Sequence, residues 1–267
     1  MKGRRLILFL LIFLPFLSFS QINQTDENGL RQGLWKKQQS NGRLLYEGNF
    51  HDGKPVGEWK RYHEGGQIKA IIQYQENSDS AFSQLFDVWG KKMAEGFYVN
   101  EKKEGIWKMY ANNTKVAEEK YENGLRNGES LKFYDTGEIL EKAGWINGKQ
   151  EGNYILLYKN GQPFMQCKFS NNLRNGPCLS YYSNGKLEME AEYKNNLRHG
   201  EWKFYDEDGK YLYSLLYNEG VILNPEVRDS IGNLNIQNME KGKNTIIDPE
   251  KYMDNPSEYM MKMNIYR

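Results

Sequence analysis

Residues 46–62 read YEGNFHDGKPVGEWKRY, in which aromatic residues and glycines alternate on both sides of a turn-like HDGKP. A similar sequence pattern recurs about every 24 residues along most of the chain. A unit that recurs at a fixed period is typical of repeat proteins, in which each copy packs on its neighbours. The stretch therefore predicts a repeat architecture.

The copies align on the glycine of Gly-x-Trp, which we call the anchor. The eight anchor positions define repeats one to eight and are 24 residues apart, with one step of 23: Gly33, Gly57, Ala81, Gly105, Gly128, Gly152, Gly176 and Gly200. A second glycine follows nine residues later in all repeats but the fourth, often as Asn-Gly, as in Asn41-Gly42. Asn-Gly between apolar runs predicts a hairpin turn, because both residues tolerate positive φ.

Each repeat is predicted to hold two antiparallel strands. Residues 186–193 read KLEMEAEY, an alternation of period two that is typical of a half-exposed strand. Composition agrees, with 14% aromatic residues and 26 glycines. The prediction is an all-β fold, an elongated single-layer antiparallel β-meander of about eight 24-residue hairpin repeats over residues 21–220, with a short helical C-terminal tail.

The pairing between repeats can be predicted from residue size. If the turn between repeats is symmetric, Phe50 lies opposite Gly57 and Gly48 lies opposite Trp59. A bulky ring over a glycine stabilises a sheet, and small residues face large ones in most copies. The sequence near residues 112–130 does not fit this register, so an irregularity is expected there. The register also does not say on which face of the sheet the tyrosines five residues after the anchors lie, such as Tyr62.

The same register puts Cys167 opposite Cys178, the two cysteines of the chain. An exported chain meets an oxidising compartment, so a cross-strand disulfide is predicted. The alternative is a pair of reduced, buried cysteines, because disulfide geometry is strict.

The N-terminus predicts export. Residues 1–20 combine three basic residues with an apolar run and end in Ser20, so a signal peptide cut before Gln21 is expected. A membrane anchor is the alternative, but the run is short for a span and contains Pro15. Removal of residues 1–20 changes the net charge from +1 to −2. Neither nucleic-acid binding nor charge-driven membrane association is expected of such a chain.

Residues 46–59 resemble the MORN repeat, whose pattern is Tyr-x-Gly-x-aromatic-x-x-Gly-x-x-x-Gly. The 24-residue period and the Asn-Gly-Lys turns are more similar to the bacterial MORN-variant branch, part of which carries an antitoxin-like label. The resemblance covers residues 28–220 and implies a non-enzymatic scaffold that binds proteins and, in some members, membranes.

The C-terminal part lacks the repeat. Residues 221–247 are polar and are predicted to form a linker. Residues 248–267 hold two helix starts of the Asp/Asn-Pro type and several tyrosines and methionines. This segment is predicted to be a helical cap on the sheet or a docking tail for a partner.

No catalytic, cofactor or metal motif is found in the sequence. The three histidines, His51, His63 and His199, fall in or beside predicted turns, where other copies carry polar residues. There is no HExxH, CxxC, P-loop or GxSxG motif. We therefore expect no enzyme activity and no cofactor.

Binding is the remaining function class. We expect an exported scaffold (periplasmic, outer-membrane-associated or extracellular) that contacts a protein partner of the cell envelope. Most aromatic rings should pack on one another, and the part left accessible would be the binding face. Its candidate residues are Trp35, Trp59, Tyr74, Tyr98, Trp107, Trp145, Tyr154, Tyr193, Trp202 and Tyr217. The alternatives are a carbohydrate-binding module that stacks glycans on this ladder, and an antitoxin-like protein.

Overall fold

The computed structural model describes residues 21–75, 78–240, 252–253 and 258. Within this part the fold is all-β, as predicted, and it contains eighteen strands and one helix. The chain divides into two compact units, residues 1–137 and residues 138–267. In each unit every strand pairs antiparallel with the strand that follows it in the chain, which is the predicted meander of hairpins.

Unit 1 begins with a short edge strand and continues with nine longer ones. Their bounds are β1 (Gln24–Thr25), β2 (Arg31–Gln38), β3 (Leu44–His51), β4 (Lys54–Tyr62), β5 (Ile68–Tyr74), β6 (Ser80–Phe86), β7 (Lys92–Val99), β8 (Lys102–Ala111), β9 (Thr114–Glu122) and β10 (Leu125–Phe133).

Unit 2 ends with a short edge strand and a helix. Its elements are β11 (Ile139–Ile146), β12 (Lys149–Leu157), β13 (Pro163–Ser170), β14 (Leu173–Tyr181), β15 (Leu187–Lys194), β16 (Leu197–Tyr205), β17 (Tyr211–Asn218), β18 (Val221–Ile222) and α1 (Pro225–Glu240).

Two kinds of turn alternate along both units. Between repeats, two-residue turns such as Asp52-Gly53 have positive φ at both residues (48° and 76°). Within a repeat, Gly42 alone takes positive φ (81°), so the expectation that both residues of Asn41-Gly42 do so is wrong. The Asn41 side chain instead accepts a hydrogen bond from the Arg43 backbone N–H (3.0 Å) and donates to the carbonyl of Glu64 in the next turn (3.4 Å). Asparagine is thus useful at this position for its side chain.

The predicted register holds in the middle of the strands and fails near the turns. Tyr46 lies opposite Arg61, as symmetric pairing requires, but Phe50 lies opposite Pro55 rather than Gly57. The register shifts by two residues because the chain bulges at Gly57, whose φ is +64°. Glycine reaches positive φ at the lowest steric cost, which explains the anchor of the motif.

Repeat three shows what happens without an anchor glycine. Ala81 does not take positive φ, and β5 and β6 pair without a shift from Ala70 to Tyr74. Tyr74 therefore lies directly opposite Ala81, the symmetric pairing that the other repeats abandon.

The irregularity expected near residues 112–130 begins at a shorter turn. Asn112 and Asn113 both take positive φ and close a two-residue turn between β8 and β9. This turn replaces the longer one of the other repeats and accounts for the 23-residue step. In the next hairpin Glu119 lies opposite Ser130.

Cys167 and Cys178 lie opposite each other on β13 and β14, as the register predicts, and form a disulfide bond. Both residues are buried within the core of unit 2.

The segment after the repeats is not the polar linker that we expected over residues 221–247. β18 pairs with β17, and α1 occupies Pro225–Glu240. Asn224 accepts a hydrogen bond from the Leu216 backbone N–H (2.8 Å) and donates to the Ser214 carbonyl (3.1 Å), so the segment covers part of the last full strand. Exposed strand edges invite aggregation, which gives this segment a structural role.

Two predictions fall mostly outside the described residues. The signal peptide of residues 1–20, including Ser20, is one of them, while Gln21 is described and exposed. The C-terminal tail of residues 248–267 is the other. Of that tail, Tyr252 and Met253 are described and pack against the core of unit 2. Among the described residues, no helix has the length and apolar character needed to cross a bilayer.

Candidate interaction surfaces

The Gly-x-Trp motif builds a structural brace between repeats. The Trp59 indole lies against Gly48, so closely that a Cβ atom on Gly48 would be 2.2 Å from the ring. Its Nε1–H donates to the carbonyl of Asn49 (2.9 Å), beside the bulge. Trp107 and Trp202 make the same bond to the carbonyls of Phe97 and Glu192 (2.9 and 3.1 Å). The indole N–H thus provides a hydrogen-bond partner for a backbone carbonyl that lies beside the shift in strand register.

The ten candidate binding residues belong largely to the core. Trp59, Trp107, Tyr193, Trp202 and Tyr217 are between 0 and 7% exposed. The remaining five are half-buried: Trp35, Tyr74, Tyr98, Trp145 and Tyr154. Neighbouring rings meet edge to face, as Trp59 does with Phe50 at 4.8 Å between centroids. The structure therefore brings these residues together, but mainly to pack on one another.

Basic side chains cover this aromatic face, a feature that the sequence analysis missed. In unit 1, Arg31 lies over Trp35 (4.7 Å) and Lys103 lies over Trp107 (4.5 Å). In unit 2, Arg174 and Arg198 lie over Tyr193 and Trp202 in the same way. All four residues stand two positions before an anchor, so the fixed offset could have revealed them. Burial lowers the pKa of Lys103, and the contacts are of cation–π type.

The opposite face carries tyrosine–carboxylate pairs. Tyr62 donates to Glu47 (2.6 Å) and Tyr110 donates to Glu95 (2.5 Å), which places the tyrosines that the predicted register left unassigned. The Tyr110 hydrogen bond is the main cause that lowers the pKa of Glu95 to about 2, and Lys92 contributes. Burial, followed by the bond to Glu47, raises the pKa of Tyr62 to about 12. These groups satisfy one another and leave this face polar.

Exposed apolar side chains occur in and beside repeat three and again near the end of unit 2. Trp89 is 80% exposed, and Val88 and Met93 are 48% and 49% exposed. Phe97 and Ile106 follow at 39% and 57%. Near the end of unit 2, five large apolar side chains are 40–65% exposed: Tyr211, Leu212, Leu216, Val221 and Leu223. Sequence reasoning missed the exposed Trp89 because it followed the residues that recur, and Trp89 does not recur.

Titratable groups form no metal centre in the part of the chain that is described, where no three His, Cys, Asp or Glu residues are close enough to bind one ion. His63 Nε2 lies 3.0 Å from the Phe86 carbonyl, and His51 lies beside Asp52 in a turn. A shallow depression in unit 2 is lined by Ile146, Asn147, Lys149, Glu151 and Asn171. The expectation that no cofactor is used stays a prediction.

Comparison with known families gives a match to one model, described as MORN repeat variant, over residues 55–76, 174–195 and 198–219. The three matched segments fall in repeats two, seven and eight. MORN repeats generally mediate protein or membrane interactions. Most hairpins outside the matched residues share the same turns and bulges, with exceptions at Ala81 and at Asn112-Asn113. No curated protein matches the chain significantly.

Proposed function

We propose that this MORN-variant repeat chain is a non-enzymatic scaffold that binds a protein partner in the cell envelope after export. The bulk of its aromatic residues and glycines is used to hold the repeats together. A surface for a partner must therefore come from residues that the repeat itself does not need.

The observation that carries the proposal is the exposed Val88-Trp89 turn of repeat three. Trp89 exposes 80% of its surface, more than any other large apolar side chain of the described residues, and Val88 beside it exposes 48%. Exposed apolar residues that cluster within a polar surface are typical of interaction sites, whereas scattered single ones are not. Tryptophan is also one of the residue types that are enriched among the dominant contacts of protein interfaces.

The glycan alternative finds less support in the same geometry. A sugar stacks on an open ring face, and Trp59, Trp107 and Trp202 are 7%, 0% and 2% exposed. Basic side chains also lie over several of these rings. The antitoxin-like alternative conflicts with the proposed export, because an exported chain would not meet a cytoplasmic toxin.

The test uses the chain of residues 21–267 as bait in a detergent extract of the envelope of the source organism, with chemical crosslinking. We expect one protein to be captured in stoichiometric amount, and a heat-denatured bait to capture none. A glycan panel followed by tryptophan fluorescence runs in parallel. No captured protein, together with a fluorescence change on one glycan, would overturn the proposal in favour of carbohydrate binding.

A further inference from the structure

We propose that the two shortest strands, β1 and β18, are matched caps that keep a second copy of this chain from adding its strands to β2 or β17. This inference goes beyond the proposed function, because it concerns the assembly of the chain and holds for any partner. Its basis is the register of the two short strands, which is the register that adjoining repeats use.

β1 takes the place that the preceding strand has in the other repeats. Thr25 lies opposite Arg31, which stands two positions before the anchor of repeat one. In the same way Phe50 lies opposite Pro55, which stands two positions before the anchor of repeat two. The N-terminal strand therefore pairs as the end of a preceding repeat would.

The tryptophan of repeat one also finds its hydrogen-bond partner in β1. Trp35 Nε1 lies 3.1 Å from the Gln24 carbonyl oxygen and 3.2 Å from the Gln32 carbonyl oxygen. In repeat two, Trp59 Nε1–H donates to the Asn49 carbonyl of the preceding strand (2.9 Å). Gln24 thus supplies the carbonyl that a preceding repeat would supply.

Asn23 extends this N-terminal cap and then turns the chain away from the sheet. Its N–H donates to the Leu34 carbonyl (2.9 Å), and its Oδ1 accepts a hydrogen bond from the Lys36 N–H (2.8 Å). Its φ of +62° does not continue a strand. The cap therefore covers the outer edge of β2 from Arg31 to the N–H of Lys36.

The C-terminal cap follows the same plan. Ile222 lies opposite Tyr217 and stands two positions before Asn224, which comes 24 residues after the anchor Gly200. β18 is therefore the start of a ninth repeat. That repeat stops at its anchor position, because Asn224 is followed by Pro225, the first residue of α1.

Three hydrogen bonds close the C-terminal cap. The Leu223 N–H donates to the Leu216 carbonyl (2.7 Å), and Asn224 bonds to the Leu216 N–H and the Ser214 carbonyl. The Ser214 N–H has no partner among the described residues, so an open edge begins where the cap ends. An open edge pairs readily with another strand, and a second copy of β17 offers the same groups in antiparallel orientation.

Two contacts between uncapped copies satisfy the open edges, and side-chain size selects one of them. If β17 joined β2 of a second copy in the register of the repeats, Trp35 would lie opposite Leu215, as Trp59 lies over Gly48 within the chain. A leucine overfills the space under the indole ring. Pairing of β17 with β17 of the second copy avoids this clash and closes a two-fold dimer.

The experiment removes both caps and measures the mass of the assembly by sedimentation equilibrium. Leu223→Pro/Asn224→Ala removes the three hydrogen bonds of the C-terminal cap. Asn23→Pro removes both bonds of the N-terminal cap, because proline lacks an N–H and cannot take a φ of +62°. Circular dichroism checks that the strands are retained. We expect the mass to shift from one chain to two, with no larger species.

A further change tests the size argument. Leu215→Ala in the uncapped chain makes room for Trp35 of a second copy, so we expect the mass to rise with concentration beyond two chains. The same change in the capped chain should leave a single chain. Growth beyond two chains without Leu215→Ala would overturn the two-fold contact.

The matched control is Asn23→Asp/Leu223→Ala, which keeps every hydrogen-bonding group that the caps use. We expect it to sediment as a single chain, like the unaltered protein. Association of the control or of the unaltered chain would overturn the inference, and so would an uncapped chain that retains its strands and stays single.

Hydrogen exchange of the unaltered chain decides the matter if the uncapped chain loses its strands. We expect slow exchange of the backbone amides of Lys36 and Leu216, which the caps bind, and fast exchange of the Ser214 amide. Equal exchange rates at the three amides would overturn the inference.

Discussion

Gly48 offers the sharpest test of the brace between repeats. The change Gly48→Ala adds one methyl group under the Trp59 ring, where the new Cβ would lie 2.2 Å from Cδ2. Ordinary contacts begin at about 3.4 Å, so the ring must move by more than about 1 Å. Trp59 is held by its hydrogen bond to the Asn49 carbonyl and by Phe50, which limits how far it can move.

The size of the effect follows from overpacking. Forcing an extra methyl group into a packed site costs about 1–3 kcal/mol of the free energy of unfolding. A value near the top of that range is expected if the move also breaks the Nε1 hydrogen bond, since an unsatisfied buried carbonyl costs about 1–3 kcal/mol. The Ala191–Trp202 pair of repeats seven and eight shows that a tryptophan with its bond to Glu192 intact can face an alanine, so the clash is costly but not prohibitive.

The assay is urea denaturation followed by tryptophan fluorescence and circular dichroism, because stacked repeats can unfold in parts and two probes reveal this. The control is Ala191→Gly, which removes a methyl group at the matching position and should cost less than Gly48→Ala does. A loss below about 0.5 kcal/mol for Gly48→Ala, within the range of neutral surface changes, with unchanged fluorescence would refute the reasoning.

Three further outcomes are expected. The change Trp107→Phe keeps an aromatic ring but removes the hydrogen bond to the Phe97 carbonyl. It should lower the free energy of unfolding by about 1–3 kcal/mol in the same assay. An unchanged free energy would contradict a stabilising role of this hydrogen bond. The pKa of Glu95 is lowered from 4.5 to about 2 in the folded chain, so its stabilising effect is present above pH 4.5 and is lost as the pH falls towards 2. Glu95→Gln should therefore flatten the decline of stability over that interval in acid titrations, and an equally steep decline would argue against it. Asn224→Ala uncovers backbone groups of β17 and should produce concentration-dependent association in analytical ultracentrifugation, and a variant that stays monomeric at every concentration would contradict that edge role.

The C-terminal helix shows how a recognisable pattern was overlooked. Asn224-Pro225-Glu226 is a helix start of the same type that predicted helices in residues 248–267. The helix was missed because its residues are polar and Leu234 and Ile236 stay exposed, so an apolar stripe is weak. It forms where the chain returns along β17, and Val227 packs on the core of unit 2. That contact involves residues that are distant in the sequence, so local periodicity does not predict it.

The sequence by itself determined the repeat, the hairpins, the face that carries the tryptophans and the pairing at mid-strand. These follow from local causes: a period of two, turn residues that tolerate positive φ, and small residues placed opposite large ones. Tertiary structure decided the rest. The bulge at Gly57 depends on a bond between the Trp59 ring and a carbonyl of the preceding strand. The burial of the aromatic ladder depends on residues of neighbouring strands, as that of Trp59 depends on Phe50 and Tyr74, because accessibility is set by strand packing and not by residue type.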